Sequence, residues 1–76
     1  MFSILLQRED RRYYRIELAD NIFGEYTLLR EWGVARPGTA PRPRIAWFSN
    51  LRDACLAADR ALARQQRRGY RLPDTP

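Results

Sequence analysis

The chain has 76 residues, 45% of them apolar and 30% charged, and its formal net charge of +5 rests on fourteen arginines with no lysine. Such a length allows one small core, and no apolar run in the sequence approaches the ~20 residues needed to cross a bilayer. A single cysteine, Cys55, excludes an internal disulfide, and the absence of histidine removes the usual general base near neutral pH and most zinc-site chemistry.

Met1 to Leu6 lacks a basic stretch ahead of its apolar residues and is followed by Gln7, so it does not read as a signal peptide. Residues 2–8 alternate as a strand, with Phe2, Ile4 and Leu6 on one face. After the polar break Glu9-Asp10-Arg11-Arg12, residues 13–18 alternate again, with Tyr14, Ile16 and Leu18 inward and Tyr13, Arg15 and Glu17 outward. Asp20-Asn21 and Gly24 supply turn chemistry, and a third strand is expected over residues 25–32. Leu28 and Leu29 are adjacent there, so both sides of that strand are expected to be partly covered. Turns this short imply antiparallel neighbours.

Residues 33–44 hold Gly33, Pro37, Gly38, Pro41 and Pro43 and read as a loop carrying Arg36, Arg42 and Arg44. Prolines stiffen that loop, which lowers the entropy lost when a ligand orders it. Ile45-Ala46-Trp47-Phe48 reads as a short fourth strand. Ser49 or Asn50 then caps a helix, with Asp53 completing an imitation of a capping box. Leu51, Ala54, Cys55, Ala58 and Leu62 form its apolar stripe, with Cys55 as a small buried hydrophobe. Gly69 is placed to end the helix in a left-handed conformation, and Arg67 and Arg68 suit the negative end of its dipole. Arg60, Arg64 and Arg68, four residues apart, read as a solvated face, with an anion-binding ridge as the alternative.

The charge is unevenly distributed. Residues 1–32 hold five arginines and six acids, a balance of −1, while residues 33–76 hold nine arginines and three acids, a balance of +6. Such asymmetry points to an anionic partner, and guanidinium groups grip phosphate or carboxylate through two donors at once. Chemistry-bearing constellations are missing: no phosphate-cradling glycine loop appears, and the carboxylates lack metal-loop spacing. No enzyme, cofactor, metal or small-molecule substrate is therefore expected.

In combination, Tyr13-Tyr14-Arg15-Ile16-Glu17-Leu18, Leu28-Leu29-Arg30-Glu31-Trp32-Gly33, Phe48-Ser49 ahead of Ala54, and Arg67-Arg68-Gly69-Tyr70 resemble a WGR domain over residues 11–72. The resemblance implies an antiparallel sheet with a helix across one face, and a Trp32 placed to meet a nucleic-acid sugar or base. It also marks a departure, since Val34 stands where the motif has arginine and Ala35-Arg36 where Ile-Gly is expected. Arg36 reaches the motif arginine's space only if the loop shifts.

The expected protein is thus an α+β domain over residues 1–72, with four to five antiparallel strands, one long C-terminal helix and a frayed tail at residues 73–76. Its expected partner is nucleic acid, DNA in particular, in the cytoplasm and away from membranes. Trp32 would stack, Arg36, Arg42 and Arg44 would neutralise phosphates, and Arg67, Arg68 and Arg71 would widen the basic surface. Two alternatives stay open: Trp32 as a plug at the sheet end, and residues 45–48 as an edge strand that binds a protein or a second copy. Exposure of Trp47 beside an unpaired edge favours the latter; Trp47 buried under the helix, with Trp32 exposed amid arginines, favours nucleic acid.

Overall fold

The computed structural model describes residues 1–73. Four strands, β1 (Phe2–Gln7), β2 (Arg12–Asp20), β3 (Tyr26–Val34) and β4 (Arg42–Phe48), form one antiparallel sheet in chain order, and α1 (Leu51–Arg67) packs on β2, β3 and β4. This is the expected α+β arrangement. A fifth strand is reduced to one bridge, in which the Gln7 and Arg71 backbones exchange two 2.8 Å hydrogen bonds on the outer side of β1. The expected tail lies, beyond Pro73, outside the described residues.

Pairing register decides which side chains share a face. Leu6 lies opposite Tyr14 and Ile4 opposite Ile16, while across β2 and β3 Tyr14 faces Trp32 and Leu18 faces Leu28. Because side chains alternate along a strand, these residues all project toward the helix. Leu6, Ile16 and Leu18 are fully buried, each stabilising the fold by about 1.5–3 kcal/mol relative to exposure. The helix meets them through Ala54, Ala58 and Ala61, whose short side chains let it lie close to the sheet. Leu28 is buried on this face and Leu29 half-buried on the other, as adjacent leucines in one strand require.

Three expectations need correction. β3 runs through Gly33 to Val34 and β4 starts at Arg42, so Arg42 and Arg44 are strand residues. The sheet admits Pro43 because β4 is an edge strand, where a missing N–H can face away from the ladder. The helix is also turned from the expected stripe: Leu51 is exposed, and Ala61 and Gln65 are buried in its place.

The helix ends follow local chemistry. The Asn50 side-chain oxygen accepts from the Asp53 N–H at 2.8 Å, and its amide donates to the Asp53 carboxylate at 3.0 Å. At the other end Gly69 takes φ +94°, the Tyr70 N–H bonds to the Gln65 carbonyl at 3.0 Å, and the Gly69 N–H bonds to the Gln66 carbonyl at 3.1 Å. This Schellman turn sends the chain back beneath the helix and buries Tyr70 beside β1 and β2.

Candidate functional site

Where β2 begins, β3 ends and the last turns of the helix pass over, an open cleft of about 470 Å³ separates sheet from helix. Its floor is aromatic. Tyr14 and Trp32, cross-strand partners, stack with centroids 5.7 Å apart and planes 8° from parallel, and Tyr70 meets Tyr14 edge-on at 6.0 Å. Tyr14 and Tyr70 are buried, whereas Trp32 is half-buried, packing against the core while lining the cleft. Trp32 therefore serves as a plug for the sheet end and also remains reachable.

Six arginines line the cleft, each from a different position in the fold: Arg8 after β1, Arg12 on β2, Arg30 on β3, Arg44 on β4, Arg64 in α1 and Arg68 at its C-cap. Asp10 occupies two of them. Arg8 donates to the Asp10 carboxylate through two nitrogens, at 2.6 and 3.1 Å, and Arg12 approaches it at 3.5 Å. The hydrogen bond from Arg8 holds the Asp10 carboxyl below the usual aspartate range, and in return raises Arg8 above the ordinary arginine value. Arg8 also lies 5.4 Å above the Tyr70 ring, in cation–π geometry.

Among the described residues, no carboxylate comes within 4 Å of Arg30, Arg44, Arg64 or Arg68. Arg30 and Arg44 are direct cross-strand partners on the same face, and Arg64 and Arg68 stand one helical turn apart. Like charges at either spacing destabilise the fold by a few tenths of a kcal/mol or more. A bound anion would reverse the sign of that term. Beside them Gln65, only 4% exposed, also lines the cleft, and its side chain makes no hydrogen bond among the described residues.

The structure brings Trp32, Arg44 and Arg68 together in this cleft, and Arg42 lies opposite Trp32 in the register without lining it. Arg36 sits in the exposed β3–β4 loop and does not line the cleft; Arg67 and Arg71 are exposed outside the cleft. Arg64 and Arg68 are exposed, as a solvated face requires, and also line the cleft. Sequence reasoning missed Arg8, Arg12 and Arg30, along with Tyr14, Tyr70 and Gln65, and held Arg64 only as part of an alternative anion-binding ridge. A signal existed for Arg30: the tight turn at residues 21–25 sets the β2–β3 register and so puts Arg30 opposite Ile16, on the helix side. For Arg8, no local signal exists, because its position depends on the return of Tyr70 and Arg71 to β1.

Gly33 has its own reason. A Cβ there would come within 3.0 Å of the Tyr13 hydroxyl and 3.3 Å of its ring, so the cross-strand tyrosine occupies the space a side chain would need. The neighbouring Val34 pairs with Arg12, which keeps a guanidinium at the corner where the motif arginine is lacking.

Compared with known families, residues 2–75 match the WGR domain. The chain belongs to the WGR domain family. WGR domains are non-catalytic modules of a nucleic-acid-binding family. This WGR domain is also similar to the uncharacterized protein y4dW of Sinorhizobium fredii (strain NBRC 101917 / NGR234), at 36% identity over 64 residues. That match covers 84% of this chain and 30% of the relative, so the chain spans less than a third of the relative's length. No solved structure matches. No helix among the described residues is long and apolar enough to cross a membrane.

Proposed function

We propose that this WGR domain is a non-catalytic, cytoplasmic DNA-binding module that takes a strand end or single-stranded segment into the arginine-lined cleft. One observation carries the reading: six arginines from separate parts of the chain line one cleft with an aromatic floor, four of them without a carboxylate partner among the described residues. An exposed nucleotide supplies what that arrangement lacks. Its phosphates neutralise Arg30, Arg44, Arg64 and Arg68, its base or sugar packs on Trp32, and its polar edge meets the Gln65 amide. Arg42 extends the phosphate track at the mouth, while Arg36, Arg67 and Arg71 add long-range attraction without contact.

Fluorescence titration of a short single-stranded DNA and a blunt duplex, at two salt concentrations, tests this. Trp32→Leu keeps apolar volume at the sheet end but removes the stacking surface, and stacking on an aromatic contributes about 1–3 kcal/mol per base. Affinity for the single strand is therefore expected to fall roughly 5- to 150-fold. Equal binding of both DNAs and of a non-nucleic polyanion, unchanged by Trp32→Leu, refutes the reading in favour of indiscriminate charge attraction.

A second reading draws on β4. Trp47 is 62% exposed on the sheet face away from the helix, on an edge strand whose outer side is unpaired among the described residues. That favours a protein contact there, and Trp47→Arg would abolish it while leaving DNA affinity unchanged.

A further inference from the structure

The turn between β2 and β3 carries the most exposed large apolar residue of the fold, Ile22 at 93%, followed by Phe23 at 79%. Water normally disfavours two such side chains side by side at a hairpin tip, and this tip is held firmly. The Asn21 side-chain oxygen accepts from the N–H groups of Phe23 at 2.9 Å and Glu25 at 3.1 Å, and the Asn21 N–H bonds to the Glu25 carbonyl at 3.0 Å. Gly24, at φ +76°, completes the turn. A side chain presented on a pre-formed turn loses little entropy when it docks. Asp20 and Glu25 flank the pair, and neither has a cationic partner within 4 Å among the described residues.

The molecule carries the chemical complement at its opposite end. Asp20 pairs with Tyr26 beside the tip, whereas Arg12 pairs with Val34 beside the cleft. Eight residues of β2 separate these pairs, about 26 Å at ~3.3 Å per residue. One copy therefore cannot fold its own tip into its own cleft. An aromatic floor lined by six arginines, four of them without a carboxylate partner among the described residues, suits a phenyl and a sec-butyl group flanked by unpaired carboxylates.

From this complementarity we infer that the Ile22–Phe23 tip of one copy docks in the arginine-lined cleft of a second copy, giving weak head-to-tail association. Phe23 packs against Trp32, and Asp20 and Glu25 approach Arg44 and Arg64. Because tip and cleft are different surfaces, the contact is heterologous and each added copy leaves one of each unused. A knob of two side chains makes a small interface, with a dissociation constant of roughly 0.1–1 mM. The inference is independent of DNA binding, since it concerns the chain alone, although both occupants claim one cleft.

Sedimentation velocity of the nucleic-acid-free protein from about 20 µM to about 2 mM, a range that brackets that constant, provides the test. The wild type is expected to sediment faster as concentration rises, whereas Ile22→Ser/Phe23→Ser and Arg44→Ala/Arg64→Ala each remain monomeric while keeping the wild-type circular dichroism spectrum. An equimolar mixture of the two variants supplies one intact tip and one intact cleft, so it should form a heterodimer and nothing larger. Monomeric wild type at the highest concentration, association that survives the tip substitutions, or a mixture that stays monomeric overturns the inference. Association lost on Trp47→Arg but retained in the tip variant would assign it to β4 instead. Single-strand affinity of the tip variant, measured at micromolar protein, should equal wild type, so a failure of the DNA reading and a failure of this one are separately visible.

Discussion

At the cleft, single side chains have separable roles. Asp10 is the local counter-ion, and its lowered pKa marks a carboxylate that is more stable charged when folded than when unfolded. The stability it adds is present above the ordinary aspartate value of 3.8 and is lost as pH falls through its depressed folded pKa. Asp10→Asn should therefore be less stable than wild type in urea unfolding at neutral pH, with the gap closing in strong acid. The same change frees Arg8 and Arg12, so DNA binding at neutral pH should tighten, as read by fluorescence titration. Gly33 is governed by sterics. Gly33→Ala should cost about 1–3 kcal/mol through overpacking against Tyr13, and most of that cost should vanish in a Tyr13→Ala background. A double-mutant cycle on chemical denaturation checks it; equal costs in both backgrounds would contradict the packing account.

Elements show how much of this protein was legible in its sequence. Alternation in β1 and β2 reveals the core face, because each is half-covered and its apolar residues recur every second position. The helix was legible from its caps, since Asn50 and Gly69 act through neighbours only three or four residues away. Gly69→Ala should cost about 1–2 kcal/mol, because a Cβ disfavours φ +94°, and lower the melting temperature by at least ~4 °C. An unchanged thermal melt would contradict that. Less legible were the bounds of β4, where prolines normally mark loops, and the rotation of the helix. Its buried side is made of alanines and Gln65, while Leu51 and Leu56 stay exposed, so hydrophobicity alone points the stripe the wrong way. The cleft was legible only in part for the same reason. Trp32, Arg44 and Arg68 stand out locally, but Arg8, Arg12, Arg30 and Arg64 join them through register and a chain reversal that no short window contains.

Across the whole molecule, which is 37 Å in its longest dimension, charge and apolarity are sorted by end. Unpaired guanidiniums gather where the helix finishes, and the bare Ile22–Phe23 tip with its two carboxylates lies where β2 meets β3. Net positive charge alone would attract any polyanion, so DNA binding is tied to the cleft only if particular arginines matter more than others. Each phosphate contact on a single strand contributes about −0.7 to the slope of log affinity against log salt. The decisive measurement is that slope for the wild type, for Arg44→Ala/Arg64→Ala and for Arg36→Ala/Arg67→Ala, two pairs that remove the same charge from inside and outside the cleft. The cleft pair is expected to make the slope shallower by about 1.4 and the outer pair to leave it nearly unchanged. Equal shifts from both pairs would contradict the assignment of binding to the cleft.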